Sequence, residues 1–133
     1  IADTKYSNGD ITKAVTATED MLTANSDLIG FYADNNECGS AAAQVITERK
    51  LENDIVLIAF DSDDNEVKGL ESGSVDGIIL QDPYGMGYKA VTNAVNIIEG
   101  ETPEKYIDTG VKAATKENMN DEDINALLNP PIK

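Results

Sequence analysis

The chain has 133 residues, of which ten are basic and twenty-five acidic, for a formal charge of -15. That length suits one domain with a real core, and the charge opposes partnership with nucleic acid or anionic membrane surfaces. One cysteine and no histidine exclude an intrachain disulfide and remove the commonest zinc ligand and general base.

Residues 1–5 read as a short strand leading into a polar turn, Tyr6 to Asp10, that contains Gly9. A chain that opens on Ile1 and Ala2 instead of methionine looks cut from something longer. Ile11, Ala14, Val15, Met21 and Leu22 share one helical face, Asp10 is placed to cap it, and the helix should stop near Ala24. Residues 28–33 form a second short apolar run that hands over to Asp34, Asn35, Asn36 and Glu37. Cys38, Ala41, Ala42, Val45 and Ile46 then repeat with helical spacing to about Lys50, with Cys38 as a buried small residue of that face.

Residues 55–60 are six apolar residues in a row, β-branched at Ile55, Val56 and Ile58, and they end abruptly at Asp61. Such a run suits a central parallel strand covered on both faces, delivering a carboxylate at its carboxyl end. Asp63 or Asp64 can cap a short helix carrying Val67 and Leu70 that Gly73 ends. Residues 75–80 are the next strand, closing at Gln81. Asp82 and Pro83 start a strongly patterned helix over 83–99, with Met86, Ala90, Val91, Ala94, Val95 and Ile98 on one face and Gly100 as its stop. Residues 106–111 alternate well enough for a further strand, and residues 120–128 read as a short helix stopped by Pro130 and Pro131. Strands alternating with helices imply right-handed crossovers and an α/β fold: a mostly parallel sheet with helices on both faces.

Parallel strands point their carboxyl ends the same way, so Asn8 and Asp10, Asn35 and Glu37, Asp61, and Gln81 share one sheet edge, where ligands of open α/β sheets sit. Amides donate and accept while a carboxylate accepts through two oxygens, so this set can satisfy several hydroxyls of a neutral polyol. A sugar fits it better than an anion, which would want arginine or a glycine-rich phosphate cradle. A calcium loop through Asp61, Asp63 and Asn65 fails at Glu66, where glycine is required, and at Ser72, where a carboxylate is required. A carboxylate hydrolase pairing Asp61 with Glu37 or Asp10 stays open on spacing alone. No nucleophile elbow, phosphate loop, metal site or cofactor motif is present.

The strand ending in Phe60-Asp61, the segment Leu70-Glu71-Ser72-Gly73-Ser74-Val75 and the run Gln81-Asp82-Pro83-Tyr84-Gly85-Met86-Gly87-Tyr88 resemble the carboxyl-terminal part of type 1 periplasmic sugar-binding proteins of the ribose-binding kind. Phe31-Tyr32-Ala33-Asp34-Asn35-Asn36-Glu37 is similar to that family's strand and Asn-x-Glu turn, and Thr115-Lys116-Glu117-Asn118 to its closing segment. The resemblance implies a non-catalytic extracytoplasmic solute-binding protein, such as a surface lipoprotein, that passes a sugar to an ABC transporter permease. It also implies sugar hydrogen bonds from Asn35, Asp61 and Gln81. The family often carries an aromatic in the first turn, where this chain has Gly9 beside Asn8 and Asp10. The effector-binding half of a sugar-responsive transcription regulator shares the same pattern and is the alternative.

Family members have two lobes joined by three crossing segments, and this chain resembles only part of one, a partial lobe. The helix over 83–99 would then belong to the missing partner lobe, with the chain crossing near Gln81 and returning before Tyr106. Left uncovered, its apolar stripe is expected to drive self-association or swapping between copies.

Overall fold

The computed structural model describes residues 1–130. Capping chemistry sets most of its element boundaries. Asp10 accepts the Lys13 N–H at 3.1 Å and opens α1 (Ile11–Ala24), which is followed by β1 (Gly30–Tyr32). Asn35 accepts the Cys38 N–H at 3.0 Å and opens α2 (Asn36–Arg49), which closes at Lys50 with a left-handed φ of 58°. After β2 (Val56–Phe60), Asp63 and Glu66 cap α3 (Asp64–Ser72) reciprocally, and Gly73 ends it at φ 95°, a region a side chain disfavours. β3 (Gly77–Leu80) leads through Asp82, which accepts the Gly85 N–H at 2.8 Å, into α4 (Pro83–Ile98) with proline in its first turn. β4 (Lys112–Ala114) and α5 (Glu122–Leu128) complete the chain.

The four strands lie in the order β1-β2-β3-β4. β1, β2 and β3 are mutually parallel and β4 is antiparallel to β3, so the sheet is mixed but mostly parallel and flanked by helices. Leu57, Ala59, Ile78, Leu80 and Ala114 share one face and are essentially inaccessible. That face joins a single core with Ala42, Ala43 and Ile46 of α2, Leu70 of α3, Val75, Met119, and Ile124 and Leu128 of α5. α1 packs mainly against α2, fully burying only Ala14 and Thr18 and reaching the margin of this core with the partly buried Leu22.

Four sequence expectations are corrected. Residues 1–5 form no strand; Ile1 to Tyr6 are exposed and irregular, because among the described residues they are not bonded to the edge of β1. β2 is covered on one face only: Leu57 is fully buried whereas Val56 is 51 % exposed and Ile58 and Phe60 are half-buried. A continuous apolar run reports the hydrophobicity of both faces but not what is available to cover them. Residues 106–111 are not a strand; the last strand is Lys112–Ala114, the stretch that lies alongside β3. Cys38 is partly exposed at the margin of the core, its Sγ 3.3 Å from the Ser7 hydroxyl. The expected strand over 28–33 shortens to Gly30–Tyr32, and Pro131, expected to help stop the last helix, lies outside the described residues.

α4 stands apart. None of its residues is buried, and Tyr84, Tyr88, Val91, Val95 and Ile98, spaced four, three, four and three residues apart, present an exposed apolar stripe. Among the described residues its tie to the returning chain is a single 3.4 Å hydrogen bond from Lys89 Nζ to the Asp108 carbonyl.

Candidate functional site

Because β1, β2 and β3 are parallel, the residues that follow them emerge at one edge of the sheet. Asn35 lies three residues past β1, Asp61 directly after β2 and Gln81 directly after β3. All three are half-buried, which leaves polar atoms for a ligand while holding the backbone in place.

Asn35 is engaged on both sides of its amide. Its Oδ1 accepts the Cys38 N–H and its Nδ2 donates to Asp34 Oδ1 at 3.2 Å, so the cap fixes the side chain at the start of α2. Asp61 adopts a left-handed backbone with φ 69°, a conformation that costs energy for any residue but glycine and is less unfavourable for aspartate than for most. Its N–H donates to the Ile79 carbonyl at 2.9 Å, tying the end of β2 to β3. Burial, followed by the nearby negative charge of Glu37, raises its carboxyl above the usual aspartate range. Asp61 and Glu37 are thus electrostatically coupled at the mouth of the β2–α3 loop.

The remaining sequence candidates fall in different places. Asn8 is exposed in a turn of left-handed residues, φ 55° at Asn8 and 74° at Gly9, and shares with Asn35, Asp34 and Cys38 the lining of an open cavity of about 700 Å³ between the amino-terminal segment, α1 and β1. Asp10 is committed to capping α1 and lies 3.8 Å from Lys13 Nζ. Gln81 lines a separate cavity of about 270 Å³ with Asp82, Thr109, Gly110 and Lys112, where the chain leaves for α4 and returns. Asp61 and Glu37 line neither cavity. The sheet edge is therefore shared, but among the described residues the candidates do not close around one enclosed volume.

Sequence reasoning missed Glu66. It is fully buried, its Oε2 accepts the Asp63 N–H at 3.2 Å, and its Oε1 has no hydrogen-bond partner among the described residues. Burial first, and the charge of Asp63 next, push its carboxyl up to about 8, so at neutral pH it is mostly a neutral acid. Asp63-x-x-Glu66 is the spacing of a reciprocal cap and was legible as such. Its complete burial was not, since it depends on α2 crossing above it with Gly39 at the closest approach. Among the described residues no three His, Cys, Asp or Glu side chains are grouped to hold a metal ion.

Comparison with known proteins gives this arrangement its context. A ribose import binding protein of Haemophilus influenzae is 28 % identical over 107 residues, covering 80 % of this chain and 36 % of the relative. A carbohydrate transporter solute-binding protein from Agrobacterium radiobacter, solved with D-arabinose, superposes with a TM-score of 0.90 at 39 % identity over 94 % of this chain and 42 % of its own. An ABC transporter solute-binding protein from Agrobacterium vitis with bound D-fucose reaches the same TM-score at 28 % identity, over 96 % of this chain and 44 % of its own. The chain thus spans roughly two fifths of the length of these relatives. The family model described as periplasmic binding protein domain matches residues 1–102. On that match and on the shared fold, the chain belongs to the periplasmic binding protein domain family.

Proposed function

We propose that this chain is the carboxyl-terminal part of a protein that captures a monosaccharide outside the cytoplasm and delivers it to the permease of an ABC transporter. The observation that carries the reading is the placement of Asn35, Asp61 and Gln81 after three adjacent parallel strands, two amides and a carboxylate along one edge. Asp61 is the anchor. Its carboxylate is already partly desolvated beside Glu37, so hydroxyl donors from a sugar would relieve a charge that the protein stabilises poorly. Asn35 and Gln81 then donate to and accept from hydroxyls on either side, with Asn8 and Glu37 at the rim, and Asp10 contributing through the cap that shapes the first turn. The D-arabinose and D-fucose of the two solved relatives are neutral polyols of the size such an edge can address.

In the protein of full length, Asp61→Ala is expected to weaken binding of D-arabinose, D-fucose or D-ribose, whichever titration calorimetry shows it to bind, by about ten- to a hundredfold. Losing a charged hydrogen-bond partner in a desolvated site costs about 1.5–3 kcal/mol. An unchanged affinity removes Asp61 from the site.

α4 fits the same reading as a segment of the partner lobe, with one crossing near Gln81 and a return ahead of β4. In the 133-residue chain its stripe from Tyr84 to Ile98 is open to solvent, and a contiguous apolar surface of that kind is uncommon on a monomer. Sedimentation of this chain is therefore expected to show concentration-dependent dimers or larger species, and Val91→Asp to shift them toward monomer. A monomer at every concentration, with no binding of an apolar dye, contradicts the assignment.

A further inference from the structure

β1 has β2 on one side only, and its other edge opens on the cavity of about 700 Å³. Successive residues of a strand turn their main-chain groups to opposite sides. The Val56 N–H donates to the Ile29 carbonyl at 3.0 Å and the Ala33 N–H to the Ile58 carbonyl at 2.9 Å, so Ile29, Phe31 and Ala33 face β2. Gly30 and Tyr32 therefore turn their N–H and C=O groups toward the cavity, which both residues line. Among the described residues no strand bonds them on that side.

The opposite wall is the amino-terminal segment. Residues 1–6 line the same cavity and make no backbone–backbone bond among the described residues; the segment is anchored at Ser7, which is buried with its hydroxyl 3.3 Å from Cys38 Sγ. The floor comes from α1 and α2, where Ala14, Ala17, Met21 and Ala42 present small or apolar side chains and the Thr18 hydroxyl is already spent on the Ala14 carbonyl at 2.9 Å. A compact ligand would leave the row of main-chain groups unmet. A β-strand meets them residue by residue and sets alternate side chains on the apolar floor, and at about 3.3 Å per residue a stretch of about six residues runs beside residues 28–33. Lys5 is the one basic side chain lining the cavity, and its Nζ is paired with Asp3 at 3.1 Å, so an acidic stretch would find no free basic partner there in a chain of charge -15.

We propose that this cavity is the seat of a fifth strand: an extended, apolar and non-acidic stretch, supplied by the remainder of the full-length protein, that bonds to Gly30 and Tyr32 and lies between β1 and the amino-terminal segment. The chain spans roughly two fifths of the relatives that share its fold, so more than half of such a protein's length is there to provide the strand. The donor rests on the reading of this chain as part of a longer sugar-binding protein, whereas the open edge and the slot beside it do not.

Amide hydrogen exchange followed by NMR reads the bonds directly. In the 133-residue chain Gly30 and Tyr32 should exchange at least about a hundredfold faster than Phe31 and Ala33, and in the protein of full length all four should be slow. Fast Gly30 and Tyr32 amides beside slow Phe31 and Ala33 in the protein of full length overturn the proposal. Protection of Gly30 and Tyr32 that grows with the concentration of the 133-residue chain assigns the edge to a second copy and also overturns it. Ala17→Phe gives an independent reading. It should leave the melting temperature of the 133-residue chain level or raised, because the floor is open, and lower that of the protein of full length by several degrees, because the space is filled. Equal shifts in the two proteins count against the strand. Calorimetry with D-arabinose, D-fucose and D-ribose on the protein of full length separates the two readings: slow Gly30 and Tyr32 amides without sugar binding uphold the strand and remove the function.

Discussion

Between about pH 4.5 and pH 8 the wild-type protein is expected to lose several kcal/mol of folding stability relative to Glu66→Gln, and to lose nothing further above that range. The sign follows from the direction of the shift. In the folded protein Glu66 holds its proton up to about pH 8, against 4.5 for the unconstrained side chain, so across that interval the native state binds more protons than the unfolded one. Raising the pH therefore favours the unfolded chain. The stabilisation is whole below the unfolded value and gone once the pH has passed the folded one. Each unit of displacement corresponds to about 1.4 kcal/mol, so the effect is a large part of the roughly 5–15 kcal/mol that typically holds a domain together. Asp61, also raised by burial and by Glu37, contributes in the same direction. Asp3, Glu117 and Asp123 are shifted down by local hydrogen bonds, first from Lys5, Thr115 and Lys112 respectively, and oppose it weakly. Comparison with the glutamine variant cancels these common terms. Urea denaturation at a series of pH values measures the difference, and a constant gap between the two proteins would show that Glu66 ionises freely in the native state.

The second large effect concerns β2, whose neighbouring residues Leu57 and Val56 look equivalent in an unbroken apolar run. Leu57→Ala is expected to destabilise the protein by about 3–4 kcal/mol, because it removes three carbons from a fully enclosed position against the helical core. Val56→Ala, at a position 51 % exposed, should cost under about 1 kcal/mol. Denaturant midpoints for the two variants at fixed slope decide the matter. Comparable losses would mean that the second face of the sheet is covered in solution, by the amino-terminal segment or by another copy, and that the one-sided packing is incorrect.

That contrast marks the boundary between local and tertiary information. Helix starts were readable because a cap is a contact between residues two or three apart: Asp10, Asp63 and Asp82 each accept the backbone N–H that their spacing indicates. Stops at Gly73 and Gly100 were equally local, since both take positive φ. The parallel order of the first three strands followed from their alternation with helices, and with it the shared edge bearing Asn35, Asp61 and Gln81.

The strand expected at residues 1–5 failed because strand formation needs a bonded neighbour, and the β1 edge does not bond to them. The shift of the last strand from residues 106–111 to Lys112–Ala114 has the same origin, being set by which residues come alongside β3.

The sequence by itself determined where helices begin and end, the α/β class, and which polar residues follow each strand, because these depend on short-range hydrogen bonding and on hydrophobic periodicity. Only the tertiary structure decided two other things: that β2 buries one face, and that Glu66 is sealed under Gly39 with a raised affinity for its proton. Each of those depends on what another part of the chain brings into contact. Burial and desolvation are properties of that contact, and no residue carries them alone.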